Sequence, residues 1–146
     1  MNIMKNYKEI IILVAEDDDG HAELIVEGLH ETGVNNQIIR FVDGLELWNY
    51  LDGLCANDKL SPETDYLVLL DINMPRLDGI EVLDKIKSNL CLKDIPVIML
   101  TTTDDPREIE KCYQLGCNVY ITKPVDFVKF AETLKRLGLF IQIIKI

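Results

Sequence analysis

The sequence predicts an α/β fold in which a parallel sheet is covered by helices on both faces. Short apolar runs, typical of buried strands, alternate with longer segments whose apolar residues recur at helical spacing. Four of these runs end directly on acids, threonines or a lysine, at the position where open α/β sheets carry their functional residues. With 146 residues, the chain is long enough for one domain with a sizeable core.

Five runs predict the strands of this sheet. They are Ile10 to Val14, Gln37 to Val42, Tyr66 to Leu70, Val97 to Leu100 and Val119 to Ile121. Because helical segments connect them, the strands are expected to run parallel with right-handed crossovers. The resulting architecture is a flavodoxin-like, doubly wound sheet of five strands in the order 2-1-3-4-5, with its functional crevice at the topological switch point.

Five helices are predicted between and after the strands. Their apolar stripes are Ala22, Ile25 and Leu29; Leu47, Trp48 and Leu51; Ile80, Leu83 and Ile86; Ile109, Cys112, Tyr113 and Leu115; and Phe127, Phe130, Ala131 and Leu134. Gly33 is expected to end the first helix, Pro106 to begin the fourth and Asp126 to cap the fifth. The longest irregular segment is expected from Asp52 to Asp65.

The apolar carboxyl terminus, residues 138–146, has two interpretations. Leu134, Leu137, Ile141 and Ile144 keep a helical spacing, which favours a last helix that continues over the sheet. An exposed apolar terminus would instead indicate a surface for self-association.

Composition and charge exclude several classes of protein. Apolar residues make up 48% and charged residues 27%, the balance of a soluble globular protein. The formal net charge of −10 would repel duplex DNA and anionic membranes, so direct nucleic-acid binding is not expected. No apolar run approaches the roughly 20 residues that cross a bilayer, and no signal peptide is recognisable. We therefore expect a cytoplasmic protein without membrane association.

The cysteines and histidines are expected to have no chemical role. The cysteines are Cys55, Cys91, Cys112 and Cys117. They form no C-x-x-C pair and have no histidine at metal-ligand spacing, so reduced and mostly buried thiols are expected. His21 and His30 fall on the predicted first helix and are expected to be solvated.

Three acids follow two strands that are expected to be neighbours. Glu16 and Asp17 come after the first strand, and Asp71 follows the third. Carboxylates about 5 Å apart would repel by about 3 kcal/mol per pair at an effective dielectric constant near 20, so a positive charge must compensate them. A few carboxylates with water are the ligands that Mg²⁺ prefers. The acids therefore predict a magnesium site.

The same sheet edge collects the groups that phosphoryl transfer needs. Asp71 is a candidate nucleophile, the hydroxyl of Thr101 can donate to a phosphoryl oxygen, and Lys123 can pair with another. Taken singly, each of these residues could simply cap a helix or satisfy a strand end. Independent caps do not explain why acids, a hydroxyl and a lysine coincide at four strand ends, so an aspartyl phosphate is predicted.

With these residues, the chain resembles the receiver domains of two-component response regulators. The matching motifs are V-A-E-D-D-D at 14–19, L-L-D-I-N-M-P-R-L-D-G at 69–79, I-M-L-T-T at 98–102 and Y-I-T-K-P-V at 120–125. The resemblance runs from Ile10 to about Leu137, which implies one receiver domain over 1–146, with a core at about 10–137 and an extension at 138–146. The closest likeness is to stand-alone receivers that accompany phytochrome-type and other sensory histidine kinases, and no output domain is expected.

The resemblance implies a role for each strand-end residue. Asp71 would accept a phosphoryl group from a histidine kinase, assisted by Thr101 and Lys123. Mg²⁺ would be held by Glu16, Asp17, Asp71 and the main-chain carbonyl of Asn73.

The same likeness also implies a conformational switch, a cis peptide bond and two residues that affect the lifetime of the acyl phosphate. Thr101 and Tyr120 would form the switch pair, in which the threonine moves toward the phosphoryl group and the aromatic ring turns inward. The bond before Pro124 would be cis and would aim Lys123 at the acids. Asn73 and Thr103 would tune the hydrolysis of the acyl phosphate.

The resemblance implies a signalling protein that catalyses only its own phosphorylation and dephosphorylation. Its partners would be a sensory histidine kinase and a downstream effector or phosphotransfer protein, or a second copy bound through the last helix and tail. A magnesium-dependent phosphohydrolase is a competing hypothesis, but such enzymes typically need an acid where Asn73 stands. A flavin-binding module would need a glycine- and hydroxyl-rich loop in place of the acids after the first strand. A receiver that binds partners without phosphorylation is the third alternative.

Overall fold

A computed structural model describes residues 9–57 and 64–144 of the chain. Its strands are β1 (Glu9–Ala15), β2 (Ile38–Phe41), β3 (Thr64–Leu70), β4 (Val97–Thr101) and β5 (Val119–Thr122). Its helices are α1 (Asp19–Glu31), α2 (Gly44–Ala56), α3 (Gly79–Lys87), α4 (Pro106–Leu115) and α5 (Phe127–Ile144). The strands form one parallel sheet in the order β2-β1-β3-β4-β5, which confirms the predicted flavodoxin-like topology.

The sheet separates two apolar cores. One face packs against α2, α3 and α4 through residues such as Leu13, Val68 and Met99. The other face packs against α1 and α5 through residues such as Val14, Leu69 and Ile98. Because successive side chains of a strand point to opposite faces, the stretches of central strands that are covered on both sides are apolar, as residues 66–70 of β3 and 97–100 of β4 are.

Aspartates begin each of the five helices. The side chains of Asp18, Asp43, Asp78 and Asp105 accept main-chain N–H groups at the starts of α1 to α4. Asp126 accepts from Val128 and Lys129, which confirms the cap expected for α5. A carboxylate at a helix amino terminus satisfies free N–H groups and interacts favourably with the helix dipole.

One helix, α2, is longer than its apolar stripe predicted, and α5 extends as one of the two interpretations of the terminus expected. The irregular segment was expected from Asp52, but α2 continues to Ala56, because Leu54 is also buried against the core; residues 58–63 of that segment lie outside the described residues. At the other end of the chain, α5 continues to Ile144, with Leu137 and Ile141 buried against its own sheet. The interpretation of the terminus as an extended last helix is therefore correct as far as residue 144.

The expectation for the cysteines is wrong for two of the four. Cys55 in the last turn of α2 and Cys91 in the loop before β4 form a disulfide. The two residues are 36 positions apart, so only the packing of α2 beside this loop brings their side chains together. Cys112 and Cys117 are free and buried, as expected.

No helix in 9–57 or 64–144 is both long enough and apolar enough to cross a membrane.

Candidate phosphoryl-acceptor site

The register of β1 against β3 places the acids side by side. Ala15 is paired with Leu70, so Glu16 and Asp71 leave the sheet at the same level. The main-chain N–H of Asp71 donates to the carbonyl of Ala15 at 3.1 Å, which continues the strand pairing for one more residue. The position of both carboxylates is therefore set by main-chain hydrogen bonds of the central sheet.

Glu16, Asp17 and Asp71 form an acidic cluster. One carboxylate oxygen from each residue lies within 4.8 Å of the others. Glu16 and Asp71 are 1% and 7% exposed, whereas Asp17 is open to solvent. Three carboxylates with one open side match the oxygen-rich, partly hydrated coordination that Mg²⁺ and similar hard cations take, so these residues fit a divalent cation. Asp18 has a different role, because its side chain caps α1 by accepting from the N–H of His21 at 2.9 Å.

Lys123 supplies the positive charge that the buried acids need. Its N–H donates to the carbonyl of Thr101 at 2.6 Å, just beyond the last pair of β4 and β5. Its Nζ atom lies 3.2 Å from Oδ2 of Asp71 and also donates to Oε1 of Glu16. Lys123 is only 2% exposed, and a buried ammonium is tolerated only when it is paired in this way.

The predicted cis bond before Pro124 is absent. All peptide bonds among the described residues are trans, including the one between Lys123 and Pro124. The lysine reaches both acids with a trans bond, because the end of β5 is already anchored to Thr101. A trans bond is also the ordinary state, since only about 5% of bonds before proline are cis in folded proteins.

Burial changes the acid–base behaviour of Glu16. Removal from water raises the pKa of Glu16 from 4.5 to about 7, and the negative charge of Asp71 adds to the increase. Hydrogen bonding and attraction from Lys123 oppose it. Without a bound cation, the carboxyl group of Glu16 therefore changes between its protonated and ionised forms near neutral pH.

The two oxygens of Asp71 face different groups. Oδ1 accepts the main-chain N–H of Ile72 at 2.7 Å, while Oδ2 faces the ammonium of Lys123. One oxygen thus holds the side chain in place, and the other points toward the cationic part of the site.

Two residues of the site were not predicted. Arg40 on β2 donates from Nε and Nη2 to the carbonyl of Glu16 at 2.9 and 2.7 Å, and it also pairs with Asp19. His21 on α1, expected to be solvated, is half-buried with Nδ1 only 3.2 Å from Nζ of Lys123. His30 is exposed, as expected. Only the position of His21 one turn after the acids could have indicated that it faces the site.

A third unpredicted residue shapes the loop after Asp71. Among the described residues, Arg76 is the only non-glycine residue with positive φ, at 69°. Its side chain donates to Asp43 at 2.8 Å, and Asp43 also caps α2. The hydrogen bond from Arg76 lowers the pKa of the Asp43 carboxyl. The ion pair thus joins the loop to the start of α2.

Comparison with known proteins identifies the family. The sequence model of the family described as the response regulator receiver domain matches residues 12–135 of this chain. This chain belongs to the response regulator receiver family.

Solved receiver structures share the fold over most of their length. A receiver domain from Rhodospirillum rubrum is 48% identical with a TM-score of 0.85, covering 91% of this chain and 94% of its own. The Mn²⁺-bound form of response regulator Rcp1 is 33% identical with a TM-score of 0.79, covering 89% and 92%. The phosphorylated cyanobacterial phytochrome response regulator RcpA is 36% identical with a TM-score of 0.78, covering 91% and 93%. Among curated relatives, Rcp1 from Synechocystis sp. is 37% identical over 113 residues, 77% of this chain and 76% of Rcp1.

In this receiver, the residues of the expected switch are linked through the loop that follows β4. Tyr120 is half-buried, and its hydroxyl donates to the carbonyl of Thr103 at 2.6 Å. Burial raises the pKa of Tyr120 to about 12, so the hydroxyl keeps its proton and remains a donor. Thr101 is fully buried, and its Oγ1 accepts the N–H of Thr103 at 3.4 Å.

Asn73 faces the same loop of the receiver. Its side-chain amide donates to Oγ1 of Thr103 at 3.1 Å. The residue two positions after Asp71 is thus tied to the residue two positions after Thr101. Thr103 is therefore hydrogen-bonded both to Asn73, which lies close to the acids, and to the hydroxyl of Tyr120.

Proposed function

We propose that this chain is a single-domain response regulator that accepts a phosphoryl group on Asp71 from the phosphohistidine of a sensory kinase. The observation that carries this proposal is the position of the Asp71 carboxylate beside Glu16 and Asp17, with its Oδ2 atom 3.2 Å from Nζ of Lys123. This geometry supports a carboxylate nucleophile facing groups that neutralise a phosphoryl group.

The transfer step balances without a further reactant. An oxygen of Asp71 attacks phosphorus, the bond between phosphorus and the histidine nitrogen breaks, and the imidazole keeps the electron pair and takes up a proton from the solvent. Lys123 and the hydroxyl of Thr101 bind two phosphoryl oxygens and stabilise their charge. The protein contributes position and charge and undergoes no other covalent change, so the chain acts on itself rather than as a turnover enzyme.

Glu16, Asp17, Asp71 and the main-chain carbonyl of Asn73 are the residues that would hold Mg²⁺. When bound, the cation supplies positive charge to the phosphoryl oxygens. The composition of the acidic cluster supports this assignment, as does the Mn²⁺-bound form of the relative Rcp1.

Phosphorylation would be transmitted by Thr101 and Tyr120. Movement of the Thr101 hydroxyl toward the phosphoryl group would release the N–H of Thr103, and Tyr120 would then exchange its bond with the Thr103 carbonyl for a buried position. The surface around α4, β5 and α5 would change for the effector or phosphotransfer protein that reads it.

A second copy of the chain is a further partner that we propose, bound through α5. Leu139, Phe140 and Ile143 are 50%, 41% and 66% exposed on the last turns of this helix. Three large apolar side chains on one short segment favour a contact surface. We place this signalling exchange in the cytoplasm, without contact to nucleic acid or membrane, in line with the net charge of −10.

The test is the intact mass after incubation with acetyl phosphate, a small phosphodonor, and Mg²⁺. The wild type should gain one phosphoryl group only when the cation is present, and Asp71→Asn should gain none. Asp52→Asn, an exposed aspartate on α2, is the matched control and should behave as the wild type does. Equal phosphorylation of Asp71→Asn, or none in a folded wild type, would overturn the proposal in favour of another acceptor or a phosphorylation-independent receiver.

A further inference from the structure

The disulfide between Cys55 and Cys91 lies away from the acidic cluster. Cys55 is in the last turn of α2, and Cys91 is in the loop between α3 and β4, with their Cα atoms 6.3 Å apart. The N–H of Cys91 donates to Oδ1 of Asn89 at 2.8 Å, and the same oxygen accepts from Leu92 at 3.1 Å. The loop therefore presents Cys91 to α2 through its own local hydrogen bonds.

Exposure separates this pair from the other two cysteines. Cys91 is exposed and Cys55 is partly exposed, so a small thiol or disulfide can reach the bond. Cys112 and Cys117 are buried, and burial raises the pKa of Cys112 to about 11, which suppresses the reactive thiolate. Thiol chemistry is therefore confined to Cys55 and Cys91.

The surroundings of Cys55 favour the oxidised state. The last turn of α2 has no basic side chain, and the carboxyl end of a helix interacts unfavourably with an anion. The end of α2 therefore disfavours the thiolate that reduction of Cys55 would produce. The disulfide is thus favoured once a suitable oxidant is present, and its exposure leaves it open to reductants.

The disulfide completes the attachment of α2 at both ends. At its amino end, Asp43 binds Arg76, and Gly44 packs so closely on the carbonyl of Leu77 that a side chain there would collide with it. At its carboxyl end, the disulfide joins the helix covalently to Cys91. The start of α2 is therefore attached to the loop after Asp71, and its end is attached to the loop before β4.

We propose that Cys55 and Cys91 form a reversible redox-modification site that fixes the carboxyl end of α2 to the loop before β4. In oxidation, one thiolate attacks a low-molecular-weight disulfide such as oxidised glutathione and displaces one thiol. The second cysteine then attacks the mixed disulfide and displaces the other thiol. The pair loses two electrons and two protons, which leave on the two glutathione molecules, and a dithiol reverses both steps.

The proposal is tested on the full chain equilibrated in buffers with varied ratios of glutathione to oxidised glutathione. The oxidised protein should be two hydrogen masses lighter, with one cross-linked peptide pair containing Cys55 and Cys91, and dithiothreitol should reverse the change without denaturant. On reduction, amide hydrogen exchange in residues 51–57 should become at least about tenfold faster, while exchange in α5 stays unchanged.

Two variants serve as controls. Cys91→Ser changes an exposed residue, so the protein should fold, lack the cross-link and show the fast exchange in α2 under both conditions. Cys112→Ala should keep the cross-link and its redox response. Thiols that persist at every glutathione ratio, a cross-link through Cys112 or Cys117, a bond that dithiothreitol cannot reduce in the folded protein, or equal α2 exchange in both redox states would each overturn the proposal.

Discussion

Nδ1 of His21 lies 3.2 Å from Nζ of Lys123 and 3.8 Å from Oε1 of Glu16. An ammonium can only donate, so this contact is a hydrogen bond when Nδ1 is the acceptor. The ring also packs edge-on against Phe130 of α5, with centroids 5.9 Å apart. A residue of α1 thus orients the lysine that pairs with Asp71, and an aromatic residue of α5 supports it.

Replacement of His21 should therefore weaken phosphorylation without abolishing it. His21→Leu keeps an apolar contact with Phe130 but removes the acceptor for Lys123, so the lysine becomes less well oriented. We expect the initial rate of phosphorylation by acetyl phosphate to fall by about threefold to tenfold, the effect of losing one ordinary hydrogen bond. Intact-mass kinetics measure this rate. His30→Leu, on the exposed side of the same helix, is the control, and equal rates for the two variants would remove His21 from the site.

Glu16 should make the metal-free protein less stable as the pH rises toward neutrality. The folded state raises the pKa of Glu16 from 4.5 to about 7, so between these values the folded state holds a proton that the unfolded state has released. This contribution is fully present below pH 4.5 and is lost as the pH rises through about 7. The free energy of unfolding should fall over this range by at most about 3 kcal/mol.

Urea unfolding in the presence of a chelator, from about pH 5 to about pH 8, measures this dependence. Glu16→Gln, which cannot ionise, should lack the Glu16 contribution and show a flatter profile. Added Mg²⁺ should restore the stability of the wild type near pH 8 more than that of the variant. Parallel profiles for the two proteins would contradict the assignment of the titration to Glu16.

Lys123 should stabilise the metal-free protein because it compensates two buried acids. Lys123→Met fills similar space but leaves Glu16 and Asp71 without their cation. We expect the free energy of unfolding at neutral pH to fall by about 3–5 kcal/mol, the usual cost of breaking a buried ion pair. Lys111 is an exposed residue of α4, and Lys111→Met should change the free energy of unfolding by less than about 0.5 kcal/mol. Urea unfolding with a chelator provides the comparison, and similar losses for both variants would disprove the pairing.

Two variants of Arg76 can separate the effect of its backbone conformation on stability from the effect of its side chain. Arg76→Ala and Arg76→Gly both remove the bond to Asp43, but only alanine keeps a side chain at a φ of 69°. Because left-handed backbone costs a residue with a Cβ atom about 1 kcal/mol, the glycine variant should be the more stable of the two by about that amount. Thermal unfolding measures the difference. A less stable glycine variant would show that this backbone conformation is not a source of strain.

Much of the fold and of the acidic cluster was predictable because the signals are local. Apolar runs such as 66–70 are typical of buried strands, and an acid that directly follows such a run, as Asp71 does, lies at the carboxyl edge of the sheet. The register of Ala15 with Leu70 then brings Glu16 and Asp71 together, as expected from two adjacent parallel strands. Two helix starts were equally predictable, because Pro106 begins α4 and Asp126 caps α5.

Other features were not predictable because they depend on how distant elements pack. The bond between Cys55 and Cys91 joins residues 36 positions apart, and the ion pair of Arg76 with Asp43 joins a loop to a helix cap from another part of the chain. The predicted cis bond before Pro124 came from the family resemblance alone, and the trans bond still lets Lys123 reach the acids.

The sequence by itself determined the order of strands and helices, the edge at which Asp71 lies and the acids that surround it, because alternation of apolar and polar residues and strand ends are properties of neighbouring residues. Only the tertiary structure decided that His21 faces Lys123, that α2 is tied at both ends and that α5 keeps an exposed apolar side. The physical reason is that these contacts depend on the separation and rotation of packed helices, which the period of a single helix does not specify.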